Sequence, residues 1–124
     1  MVNQVSPTTH TYLNESRLMQ SKRRIVDTVA NSPKTRRFVF VLLDNFTLLS
    51  FSSAMEALRI ANRMSGKTLY EWRLIGEGGG HVSCSAGTEF RLEGALAELN
   101  REDFVLICGG IDVQKATTKR LLHW

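Results

Sequence analysis

No apolar run in these 124 residues approaches the ~20 needed to cross a bilayer, and the first residues lack an apolar stretch of signal-peptide length. The chain therefore reads as cytoplasmic, with no membrane partner. Cysteine is scarce. Cys84 and Cys108 match neither a metal-binding spacing nor a disulfide framework, and read as small buried hydrophobes. The glycine-rich stretch Gly76 to Gly80 lacks the lysine and Ser/Thr of a phosphate-binding loop. No Ser/His/Asp set is visible: His10 lies near the start, His81 in the glycine loop and His123 beside the last residue. All three histidines read as solvent-exposed. No helix-turn-helix pattern is visible either. The sequence thus offers no catalytic residues, no metal site and no cofactor.

What is there is unevenly charged. Residues 1 to 37 hold Arg17, Lys22, Arg23, Arg24, Lys34, Arg36 and Arg37 against Glu15 and Asp27, while the remainder has nine basic and ten acidic residues. A basic arm contacts nucleic acid through phosphate attraction. The plainer reading is a solvated, poorly ordered extension, since no aromatics interleave with the charges. Residues 12 to 30 form at best one amphipathic helix, with Leu18, Ile25 and Val29 on one face. Asn31-Ser32-Pro33 marks the boundary, giving a basic, disordered leader over 1–36 and a domain over 37–124.

The domain reads as alternating strands and helices. Phe38 to Leu43 is short, continuously apolar and rich in β-formers, as in a strand covered on both faces. Asp44 to Thr47 forms the turn after it. A helix starts near Ser50, carries Phe51, Met55, Leu58 and Ala61 on one face, and ends at Ser65-Gly66. Leu69 to Ile75 is the second strand. Residues 82–85 and 88–92 are short strands, and Ala95 to Leu99 makes one helical turn. Asp103 to Cys108 is a deeply buried strand. A last helix from about Asp112 points Val113, Thr117, Leu121 and Trp124 toward the core. This order indicates an α/β fold with a mostly parallel sheet and helices on both faces. Three long strands make a small sheet, and the last helix meets the final residue without a capping glycine. The expected domain is therefore incomplete at its C-terminus.

Ligands bind open α/β sheets at the carboxyl ends of strands. Two junctions qualify. After the late strand, Gly109 and Gly110 let backbone approach a ligand closely, and Ile111 leads into a helix start with free N–H groups. Such donors serve as half of an oxyanion hole, as a carboxylate cradle, or simply as a tight turn. After the first strand, Asp44 attracts a cationic head group, Asn45 offers donor and acceptor, and Phe46 offers a cation–π face. Asp44 and Asn45 also suit an ordinary turn.

Phe40 to Ser50, Ala54 to Arg63 and Cys108-Gly-Gly-Ile-Asp-Val-Gln114 together resemble the N-terminal domain of a subgroup of AraC-type transcriptional regulators. In that subgroup a class I glutamine amidotransferase-like (PfpI-type) domain precedes a helix-turn-helix domain. The resemblance covers residues 38 to 124. It implies a flavodoxin-like sheet, a small-molecule effector, DNA binding only through a C-terminal domain lying outside this sequence, and a homodimer. Relatives often sense betaines, carnitine or arginine, so an amine or quaternary ammonium effector is implied. Enzymes of the superfamily carry a cysteine at a nucleophile elbow beyond Trp124, and Cys108 is not that residue. They also carry a glutamate at the place near Ser50, yet no acid lies between Asp44 and Glu56. That departure favours a non-catalytic sensor. The alternatives are a PfpI-type cysteine hydrolase or glyoxalase-like enzyme, and an interaction domain without ligand.

Overall fold

The computed structural model describes residues 15–24, 33–96 and 99–124. The chain divides into two compact units, Met1–Pro33 and Lys34–Trp124. In the first, residues 15–24 form a helix, α1, in which every residue is exposed. The rest of the helix expected over 12–30, with Ile25 and Val29, lies outside the described residues, as does His10.

The second unit runs β1 (Arg36–Leu42), α2 (Leu48–Ser65), β2 (Tyr70–Gly76), β3 (His81–Ser83), β4 (Glu89–Arg91), β5 (Gly94–Ala95), β6 (Phe104–Cys108), α3 (Val113–Ala116) and α4 (Lys119–His123). Four strands form one sheet in the order β5-β2-β1-β6, and all its pairings are parallel. β3 and β4 make a separate antiparallel pair. Leu42 stands opposite Cys108, which levels the carboxyl ends of β1 and β6.

The apolar run of β1 forms a central strand because both of its faces are covered. Phe40 and Leu42 pack with Phe46, Phe51, Val82, Cys84 and Leu92. Val39, Val41 and Leu43 pack on the opposite face with Ile75 and Leu121. In α2 the predicted stripe is observed: Phe51 is buried, and Met55, Leu58 and Ala61 are half-buried. Gly66 closes the helix with a left-handed φ of 64°. The Asn62 carboxamide then positions β2. Its Oδ1 accepts from the Leu69 and Tyr70 N–H groups at 2.8 and 2.9 Å, and its Nδ2 donates to the Tyr70 carbonyl.

Four expectations need correction. α2 begins at Leu48, and Ser50 sits inside its first turn, where its hydroxyl donates to the Thr47 carbonyl at 3.0 Å. The turn expected over Ala95 to Leu99 begins instead with a strand, since Gly94 and Ala95 pair with Ile75 and Gly76; residues 97–98 lie outside the described set. β6 is an edge strand, paired only with β1 among the described residues, and Phe104, Val105 and Ile107 are exposed. The last helix breaks into α3 and α4, because Thr117 is extended and Thr118 caps α4 by accepting from the Leu121 N–H. Only Leu121 of the four inward-pointing positions is buried.

Two basic residues near the boundary are paired within the second unit. Lys34 pairs with Glu102. Arg37 forms a forked pair with Asp103, Nε and Nη2 donating at 2.9 and 2.6 Å. Among the described residues, no helix is long and apolar enough to cross a membrane.

Candidate functional site

The chain leaves β1 for β2 on one flank and returns to place β6 on the other. This makes the carboxyl ends of β1 and β6 a topological switch point. The two junctions expected to hold a ligand do meet there. The Leu43 N–H donates to the Cys108 carbonyl and the Thr47 N–H to the Gly109 carbonyl, each at 3.0 Å. Asn45 adopts a left-handed φ of 61° between them, and its N–H donates to the Ser83 carbonyl at 2.8 Å. Asn tolerates this conformation better than most side chains.

The two junctions are in close contact with each other at Gly110 and Asn45. A Cβ on Gly110 would collide with the Asn45 carbonyl oxygen. Glycine is required here so that two chain segments can touch. A Cβ on Gly109 would lie 2.6 Å from Cγ2 of Val113. Ile111 is 99% exposed and is not among the residues that line the cleft over the carboxyl ends of β1 and β2. Phe46 is fully buried, its ring edge-on to Phe51 and Phe90 at centroid distances of 5.3 and 5.5 Å. It is a core residue enclosed by other rings, with no open face for a cation. A sequence pattern cannot separate an aromatic that tops a site from one that plugs the core below it.

Asp44 and Asn45 do reach open space. They belong to the lining of a cleft of about 740 Å³ over the carboxyl ends of β1 and β2. Leu42, Leu43, Val82 and Leu92 give it apolar walls, and Asp44, Glu77, His81, Asp112, Lys115 and Thr118 give it polar groups. This volume falls in the usual range for small-molecule sites, ~300–1,000 Å³. The Thr118 hydroxyl donates to Glu77 Oε1 at 2.7 Å while accepting from the Leu121 N–H at 3.1 Å. Lys115 Nζ lies 3.1 Å from Asp112 Oδ1. Three acidic residues, Asp44, Glu77 and Asp112, and one lysine, Lys115, are thus among those lining the cleft. Among the described residues no cluster of three or more His, Cys, Asp or Glu is arranged to hold a metal ion.

Glu77, Asp112, Lys115 and Thr118 were missed in the sequence. Glu77 sits in the glycine loop, where the signal sought was a phosphate cradle rather than a carboxylate. The other three lie on or between the short helices, which read as one continuous helix facing the core.

The candidate chemical groups are placed as follows. Cys84 is buried and Cys108 half-buried, and burial pushes the Cys108 thiol above its ordinary pKa. It stays protonated at neutral pH. His81 and His123 are exposed. Glu56 is also exposed and pairs with Arg59, Nη2 to Oε2 at 2.6 Å; that guanidinium holds its carboxyl below the usual range.

No family model matches the chain. It is 40% identical over 80 residues to the HTH-type transcriptional regulator GbdR of Pseudomonas aeruginosa, covering 64% of this chain and 22% of that one. It is 37% identical over 87 residues to the regulator CdhR of the same species, covering 70% and 26%. The chain spans about a quarter of the length of the curated relatives it matches. An AraC family transcriptional regulator from Pseudomonas putida has a similar structure, with a TM-score of 0.58 and 26% identity over 71% of this chain and 56% of that one. A DJ-1 superfamily protein from Agrobacterium tumefaciens shares the fold, with a TM-score of 0.50 and 21% identity over 70% and 44%.

Proposed function

We propose, for a chain whose homologues are HTH-type transcriptional regulators and whose α/β fold is that of an AraC-type regulator's PfpI-like domain, the role of a ligand-sensing domain. One observation carries this reading. A cleft of metabolite size lies over the carboxyl ends of β1 and β2, in a sheet shared with a solved regulator. The effector is a small metabolite with a cationic amine or quaternary ammonium group. Asp44, Glu77 and Asp112 supply compensating charge, and the Asn45 carboxamide orients the rest of the molecule. Phe46, Gly109 and Gly110 pack behind residues that line the cleft, and Ile111 stands apart from it.

The domain is non-catalytic in this reading. The place near Ser50 where the superfamily's enzymes carry a glutamate holds no acid between Asp44 and Glu56, and Ser50 is bonded to its own helix turn. Sequence-specific DNA binding belongs to a helix-turn-helix part of the parent regulator, which acts as a homodimer in the cytoplasm.

Titration calorimetry of the chain against a panel of betaines, carnitine and arginine tests the reading. One of them should bind, and the Asp44→Asn, Glu77→Gln double variant should weaken that binding at least tenfold while melting like the parent. Heat from no member of the panel, or unchanged affinity in the variant, would overturn the assignment.

A further inference from the structure

We infer that Thr118 is a positioning residue for the cleft: it holds the Glu77 carboxylate in place for a cationic ligand and ties that ligand's binding to the stability of α4. Four of the five residues from Gly76 to Gly80 are glycine, and Glu77 is the exception. Glycine leaves a backbone loosely restrained, so the loop alone fixes its carboxylate poorly. The fold supplies the missing restraint. Ile75, just before the loop, packs in one core cluster with Leu121 of α4 and with Val39, Val41 and Leu43. That packing brings the glycine loop to the start of α4. The Thr118 hydroxyl then donates to Glu77 Oε1 at 2.7 Å, a length typical of a charge-assisted bond.

One hydroxyl serves two partners. Its proton goes to Glu77, while its oxygen accepts from the Leu121 N–H at 3.1 Å. Each partner therefore fixes the hydroxyl for the other. Among the described residues Glu77 is in no ion pair, whereas Asp112 pairs with Lys115. Thr118 is neutral and bonds one carboxylate oxygen, so Glu77 keeps its charge for a ligand. α4 spans five residues, too few to persist as an isolated helix. Leu121 is its one buried residue and Thr118 its side-chain cap, so it depends on the hydroxyl that Glu77 orients. A cation that meets a fixed Glu77 is spared the cost of ordering that side chain. By linkage, filling the cleft stabilises α4 in turn.

That the ligand is a cation rests on the sensing-domain reading. The whole chain is titrated by calorimetry with glycine betaine, carnitine and arginine. For a compound that binds, Thr118→Val should weaken affinity about threefold to tenfold, and Thr118→Ser should restore most of it. In a Glu77→Ala background, Thr118→Val should add almost no further loss, because its effect passes through the carboxylate. A residue that merely supported the fold would cost the same in both backgrounds. The bound compound should also slow hydrogen exchange several-fold at the Leu122 and Trp124 amides, which donate within α4 and its cap. Glu77→Ala alone leaves the cap residue in place and should speed exchange at the same amides in the unliganded chain, so the coupling is measurable even where Thr118→Val fails to fold. Three results would each overturn the inference: unchanged affinity in Thr118→Val, equal losses with and without Glu77, or exchange in α4 indifferent to Glu77→Ala. Heat from none of the three compounds overturns the sensing reading and this inference together, whereas binding accompanied by any of those results overturns the inference alone.

Discussion

Gly110 and the backbone of Asn45 occupy each other's space: the carbonyl oxygen of Asn45 fills the position that any side chain at 110 would take. The glycine pair expected at a ligand site lets two strand ends come into contact. Gly110→Ala should therefore lower stability by about 1–3 kcal/mol through overpacking. Gly109→Ala should cost less, because the Val113 side chain that it meets can move. Thermal melts of the two variants distinguish them, and equal losses would argue against the Asn45 contact.

Phe46 is the shared neighbour of Phe51 and Phe90. Phe46→Ala should cost about 3–5 kcal/mol, as for other buried aromatics. Denaturant unfolding reads the loss directly. A small loss accompanied by weakened metabolite binding would return Phe46 to the site.

The Arg37–Asp103 pair gives stability a pH dependence. Arg37 holds the Asp103 carboxyl below its ordinary pKa, first through its side-chain hydrogen bonds, and the Asn100 N–H adds a further bond. The folded value is thus lower than the unfolded one, near ~3.9. This contribution is complete above the unfolded value and disappears as pH falls through the folded one. Asp103→Asn should be less stable than the parent at neutral pH, and the gap should narrow on acidification. Urea midpoints across that range provide the check.

Thr118 joins the cleft to the core by bonding Glu77 and capping the helix that carries Leu121. Thr118→Val should cost about 1 kcal/mol, the usual value of a lost N-cap. Thr118→Ser keeps the hydroxyl and should retain most of it. Hydrogen exchange at Leu122 and Trp124, whose N–H groups donate to Thr118 and Arg120 carbonyls, would report fraying of α4.

Apolar side chains on β6 are exposed beside an edge. Ile107, 59% exposed, lies opposite the fully buried Val41. Ile107→Lys should reduce self-association, with little loss of stability, because charged residues on an edge strand discourage strand addition. Light scattering at increasing concentration decides this. Unchanged association would place the sticky surface elsewhere.

β1 and β6 show where sequence reading succeeds and stops. Both are unbroken apolar runs and both are strands in register. A run of this kind records suitability for burial; it says nothing about how many neighbours flank the strand, so β6 was read as buried. The stripe of α2 was legible because four residues at helical spacing define a face. The break at Thr117 and Thr118 was not, since β-branched residues disfavour helix only slightly. Asp44 and Asn45 line the cleft, and their place is legible because they follow a strand immediately. Glu77 and Thr118 reach the same cleft from positions far apart in the chain, and no local pattern ties them together.

The strand order also governs how this domain can assemble during synthesis. Of the four sheet strands β6 is made last, yet its place is against β1, the first. While β2 and β5 build out one flank, the other edge of Phe38-Val-Phe-Val-Leu42 stays open until Cys108 has left the ribosome. For that interval the most apolar strand presents an unpaired backbone edge to the cell, the condition under which strands recruit wrong partners. Slow translation between β5 and β6 would lengthen that window without altering a single residue of the folded domain.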